Sequence, residues 1–162
     1  MTPGQTARAA GVVLATLARV GLGALWITEA VLKWQAGFGR ADILLVVSST
    51  GRNPRVPDFY AFFTQNALGA FPELFGVVVP LIEFGLGVLL VLGVFTLPVA
   101  LASAAELINY WFADQLITQY PIMMGLSVVV ATFSRAASRV SLAEFVLRRA
   151  RREPSAAVRR WL

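Results

Sequence analysis

Apolar positions in this chain run in long unbroken blocks rather than alternating with polar ones. From Phe75 to Tyr110 two such blocks meet at Thr96-Leu97-Pro98, each close to the roughly 20 residues an α-helix needs to cross about 30 Å of hydrocarbon. An earlier block, at about 11–32, carries Arg19, Gly23, Trp26, Ala30 and Lys33 at the 4-3-4-3 spacing of one helix face. The last block, Pro121 to Ser134, reaches span length if its helix starts near 117 and runs through Ala137 while Arg135 snorkels. The pattern predicts an all-α integral membrane four-helix bundle with spans at about 11–32, 75–95, 98–115 and 117–137.

Residues 34–73 break the pattern, with Gly37, Gly39, Gly51, Pro54, Pro57 and Pro72 as punctuation. Ala41 to Val47 reads as a short helix or a strand. Asp58 to Ala70 reads as an amphipathic helix capped by Asp58 and carrying Phe59, Tyr60, Phe62 and Phe63. The expected result is an outer-face re-entrant or interfacial loop folded back on the bundle, either a lid and docking surface or an anchor without a ligand. Past the last span, Ser141-Leu142-Ala143-Glu144 matches a capping box. Leu142, Phe145, Val146 and Ala150 then form an apolar stripe opposite Arg148, Arg151 and Arg152, as in a basic helix lying on a membrane surface.

Composition narrows the class. With 57% hydrophobic and 14% charged residues among 162, the chain reads as a single membrane domain, 1–162. It has no Cys and no His, which excludes disulfides, thiolate chemistry, Ser-His dyads, histidine-ligated haem and ordinary zinc sites; no metal is expected. The net charge of +5 is concentrated at one end, where eight arginines from Arg135 onward face only Glu144 and Glu153. The positive-inside tendency makes that end cytoplasmic, the N-terminus as well, and the 34–73 loop external. Arginines beside a span imply membrane lipids rather than nucleic acid as their partner. Thirteen arginines to one lysine accord with a GC-rich bacterial source and its inner membrane.

The two central blocks each carry one carboxylate near the middle. Glu83 and Glu106 sit at similar distances from the turn, and a charge at that depth costs at least about 2.5 kcal/mol on insertion scales. Counted from the inner end, Arg19 reaches similar depth, so Arg19 is expected to bridge Glu83 or Glu106, and the remaining acid either to be protonated or to find another donor such as Asn109, one turn from Glu106. Glu29 and Lys33, four residues apart, read as an ordinary helix pair. The cluster Arg19, Glu83, Glu106 and Asn109 is either a polar pocket for the head of a lipid-soluble molecule or a proton, or a clamp that fixes helix packing. No catalytic residue is assigned.

Arg19-Val-Gly-Leu-Gly23, Trp26 and Lys33-Trp34 resemble the first-helix pattern of the DoxX-like family. Glu83-Phe-Gly-Leu-Gly87 through Leu92-Gly93-Val94-Phe95-Thr96 resembles its second-helix signature, and Ala137-Ser-Arg-Val-Ser-Leu142 its closing stretch. Glu29 and Ala30 depart from the small residues usual there, Leu97 replaces an arginine, and Glu144 stands two positions after Leu142 where an Asp would directly follow it. The resemblance implies a four-helix bacterial inner-membrane protein with Arg19, Lys33 and Glu83 as motif residues. It also implies kinship with the small subunit of thiosulfate:quinone oxidoreductase and with a mycobacterial membrane protein associated with oxidative-stress enzymes. One expected function is a membrane subunit of a quinone-linked oxidoreductase or respiratory-type complex, with quinone as cofactor and redox chemistry shared with partner subunits. Another is a structural or assembly subunit using Gly85, Gly87, Ala100 and Ala104 for close packing. A third is a small-solute or proton pathway.

Overall fold

The computed structural model describes residues 2–149 and, among them, every regular element is helical. Helix α1 runs over Pro3–Gln35, starting well before the expected 11 because Pro3 occupies its first turn and the Thr2 N–H donates to Gln5 Oε1 at 3.0 Å. Helices α2 (Arg40–Thr50) and α3 (Asp58–Phe63) follow, and α3 passes into a π-helical turn, Thr64–Leu68. Ala41 to Val47 is thus helix rather than strand. Pro57, not Asp58, takes the cap position of α3, leaving Asp58 in its first turn.

Helix α4 (Pro72–Leu92) ends at Gly93, whose φ of 70° supplies the left-handed C-cap. Helix α5 (Thr96–Phe112) begins after Phe95, also left-handed at φ 51°. The turn between them is therefore Gly93-Val94-Phe95, and Thr96-Leu97-Pro98 is the first turn of α5, where a proline leaves no helical bond unmade. Helix α6 is shorter than expected, Tyr120–Thr132; the chain breaks at Phe133 and resumes as α7 (Ser134–Ala137). Helix α8 (Leu142–Arg149) starts as the capping box predicts, with the Glu144 N–H donating to Ser141 Oγ at 3.1 Å. The remainder of the predicted basic tail, including Ala150, Arg151 and Arg152, lies outside the described residues.

Two helices, over Gly4–Gln35 and Pro72–Leu92, are long and apolar enough to cross a membrane; α5 and α6, with 17 and 13 residues, are shorter. Helix α4 lies along α1, α5 packs on α6 and α4, and α1 also meets α6 and α7. The α1–α4 contact turns on two glycines. A Cβ on Gly87 would stand 2.6 Å from Ile27 and 2.7 Å from the Gly23 carbonyl, and one on Gly23 would stand 2.8 Å from the Gly87 carbonyl. Only bare backbone permits that approach. Gly85 meets nothing within 4 Å, so within the bundle Gly87 mediates close packing and Gly85 faces open space. Ala100 is fully buried, whereas Ala104 is half-buried.

The segment between α1 and α4 packs against α4 and α5. Gly39 abuts Gly76 of α4, where an added Cβ would come within 2.8 Å. The Tyr60 hydroxyl donates to Asn109 Oδ1 at 2.7 Å, and Asp114 receives Asn53 Nδ2 at 2.7 Å and Arg55 Nη2 at 3.0 Å. Phe59 and Tyr60 stack edgewise and tilted on Phe112, with centroids 5.3 and 5.7 Å away. Asn109 thus serves this loop, not Glu106.

Candidate functional site

The face of α1 legible in the sequence is the one the fold buries, and its polar members fall seven residues apart, about 10 Å each along the axis. Arg19, Trp26 and Lys33 each open a separate polar layer. In the innermost, Arg19 is buried and its guanidinium donates to carbonyls alone: Nη1 to Leu90 and, at 3.0 Å, to Val91; Nε to Ala137 at 3.1 Å; Nη2 to Val140 at 2.7 Å. Leu90 and Val91 lie in the last turn of α4, at the negative end of the helix dipole, where the Leu90 carbonyl also receives the Gly93 N–H at 3.2 Å. Arg19 therefore caps α4 and ties it to the segment around α7. It does not bridge Glu83 or Glu106, because the Gly23–Gly87 contact sets α1 so that Arg19 faces the end of α4, not its middle.

In the middle layer the Trp26 indole N–H donates to Ser103 Oγ at 2.7 Å, and Ser103 shares a 2.8 Å hydroxyl bond with Ser127, which donates to the Met123 carbonyl. Three helices are joined there with no ionisable group.

The third layer, toward the C-terminal end of α1 and called the outer layer below, holds the charge. Lys33 Nζ lies 2.6 Å from Glu83 Oε1 and 3.3 Å from Glu29 Oε2. The Tyr110 hydroxyl donates to the same Glu83 Oε1 at 2.5 Å, Gln119 Nε2 donates to Glu29 Oε1, and the Tyr120 hydroxyl reaches Glu29 Oε2 at 3.4 Å. The Tyr110 and Tyr120 rings stack with centroids 5.1 Å apart, and Lys33 Nζ stands 5.4 Å from the Tyr110 centroid. Glu106, one turn before Tyr110, reaches the same phenol and lies in the field of Glu83 and Lys33. Glu83 is 0% exposed; its Oε1 receives two donors, while its Oε2 has no partner among the described residues. Among those residues, no group of three or more His, Cys, Asp or Glu is placed to hold a metal ion.

Of the expected site, Glu83 and Glu106 come together, while Arg19 and Asn109 lie apart from them. Glu29 and Lys33, expected as an ordinary helix pair, belong to the outer layer. Tyr110, Gln119 and Tyr120 were not singled out; the signal for Tyr110 was its i+4 spacing from Glu106 on a polar-bearing helix face. A family model described as DoxX matches residues 14–114. The chain belongs to the DoxX family. The DoxX match includes Glu29, Lys33, Glu83, Glu106 and Tyr110, so the outer layer lies mostly within the family region; Gln119 and Tyr120 come from beyond it. The protein is thus a DoxX-family membrane protein with helical spans. No match to the chain was found among curated proteins or among solved structures.

Proposed function

We propose that this protein is the membrane subunit of a quinone-linked oxidoreductase, crossing a bacterial inner membrane four times with both termini cytoplasmic. Its head-group or proton site is the outer layer: Lys33, Glu83, Glu106 and Tyr110. The observation that carries the reading is Glu83, buried, with one oxygen doubly bonded to donors and the other without a partner. A buried acceptor left open costs about 1–3 kcal/mol, and a ligand hydroxyl or a proton at Oε2 removes that cost. The donor set also fits a head group that both accepts and donates hydrogen bonds. A cavity of about 110 Å³ lined by Leu107, Trp111 and Tyr120 opens beside this layer.

When bound, a quinone supplies two-electron, two-proton chemistry. This chain's share is to hold and pass the proton: Lys33 and Tyr110 orient Glu83, and Glu106 lies beside the same phenol as the next carboxyl group. With neither thiol nor imidazole in the chain, the electron donor belongs to a partner subunit.

A structural reading draws on the same layer. Lys33 ties α1 to α4, Tyr110 ties α5 to α4, and Gln119 and Tyr120 tie the start of α6 to α1, which is what an assembly subunit needs to hold its helices. Glu83→Gln and Glu106→Gln separate the two. Normal yield and assembly with quinone-linked electron transfer reduced at least tenfold is the outcome expected of a proton or head-group site. Loss of folded protein in both variants would overturn it in favour of a clamp. Purification in mild detergent with mass spectrometry of extracted lipid adds a direct reading: near-stoichiometric quinone in the unmodified protein, depleted in Glu83→Gln.

A further inference from the structure

At the end of the molecule opposite the carboxylate layer, a cavity of about 390 Å³ opens between α1 and the α6–α7 break. It is lined by Arg8, Val12, Phe133, Arg135 and Arg139, with Gly11 and Ala136 between them. Arg8 comes from α1, Arg135 from α7 and Arg139 from just beyond it, so arginines from near the two ends of the described chain line one hollow. None of the three forms an ion pair or hydrogen bond through its side chain among the described residues. They differ in this from Arg19, Arg40, Arg52 and Arg55, each of which has a partner. Val12, Phe133 and Ala136 make the rest of the wall apolar, and Phe133 is 56% exposed.

Cations without a side-chain partner among the described residues, set around an amphipathic hollow, match one ligand chemistry, a phosphate joined to hydrocarbon. Arginine binds phosphate oxygens in a bidentate fork, and basic pockets between membrane helices take anionic lipid head groups. We propose that this cavity is a binding site for one anionic phospholipid, its phosphate held by Arg8, Arg135 and Arg139 and its acyl chains lying along Phe133 and α1. The site is independent of the quinone reading, since it shares no residue with the outer layer.

Gly11 offers a test that leaves every arginine in place. A Cβ there meets nothing within 4 Å, so Gly11→Leu fills the hollow without a clash at its root and favours the helix. The experiment is native mass spectrometry of the full chain in mild detergent, titrated separately with phosphatidylglycerol, phosphatidylcholine and inorganic phosphate. Phosphatidylglycerol is expected to be retained at one per chain and phosphatidylcholine not. Arg8→Gln, Arg135→Gln and Arg139→Gln each weaken retention about fivefold, Gly11→Leu weakens it at least tenfold, and Arg52→Gln leaves it unchanged. Circular dichroism identifies any variant that fails to fold, and Gly11→Leu then decides. Equal retention of both lipids, or unchanged retention in folded Gly11→Leu, overturns the proposal. Inorganic phosphate displacing phosphatidylglycerol at equal concentration overturns it too, by showing a free-phosphate site.

Discussion

Lys33 faces Glu83 and Glu29 at once, and with Glu106 nearby a lone ammonium stands among three carboxyl groups. Removing one partner of a buried pair is worse than removing both, because the survivor keeps its desolvation cost. Lys33→Met should therefore destabilise the protein by about 3–5 kcal/mol, and Lys33→Met with Glu83→Met should recover much of that, as read by thermal unfolding in detergent. Tyr60, in the loop outside the spans, gives a pH-dependent counterpart. Burial first, and the Glu106 carboxylate second, push its phenol up to about 12. Because the folded value is raised above the unfolded one, the associated stability is present below pH 10 and is lost as pH rises through about 12. Tyr60→Phe should abolish the step near pH 12 in the ultraviolet titration of phenolate. It should also cost about 1 kcal/mol through the lost bond to Asn109.

Among the helices, periodicity carried the reading furthest. The face holding Arg19, Gly23, Trp26, Ala30 and Lys33 could be drawn on α1 from spacing, and Arg19, Trp26 and Ala30 are buried where that face meets its neighbours. The nearness of Glu83 to Glu106 could likewise be drawn, since a short turn fixes how α4 and α5 align. The partner of Arg19 could not. A long segment separates α1 from α4, so their register depends on the bare backbones at Gly23 and Gly87, a property of shape that hydropathy does not encode. Gly87→Ala should lower stability by about 1–3 kcal/mol by forcing the pair apart. Gly85→Ala, two residues away with open space around it, should leave the unfolding temperature unchanged or slightly higher. Thermal scans of the two variants side by side check both expectations. The tyrosines of α5 and α6 escaped notice for the same reason: a phenol in an apolar run reads as packing until the helix opposite supplies its carboxylate.

Over the whole molecule, polar groups are sorted by depth. Carbonyls surround the Arg19 cation at one end, hydroxyls fill the middle, and carboxyl groups gather at the other end. The absence of cysteine makes the proposed topology directly measurable. Single cysteines at Thr6 and at Ser49 should react with an impermeant maleimide from opposite faces of the membrane, the first only after the cell is opened. Labelling of both from one face would remove the four-crossing arrangement. Arg19 has a consequence at this scale. Because carbonyl dipoles, not an acid, receive it, its full unit of charge stays at one end of the helices while the carboxyl groups collect at the other. The protein is then an electric dipole along the membrane normal. With each charge worth about 2.3 kcal/mol per 100 mV across the bilayer, an energised, inside-negative membrane would favour the arginine end facing the cytoplasm over the reverse insertion.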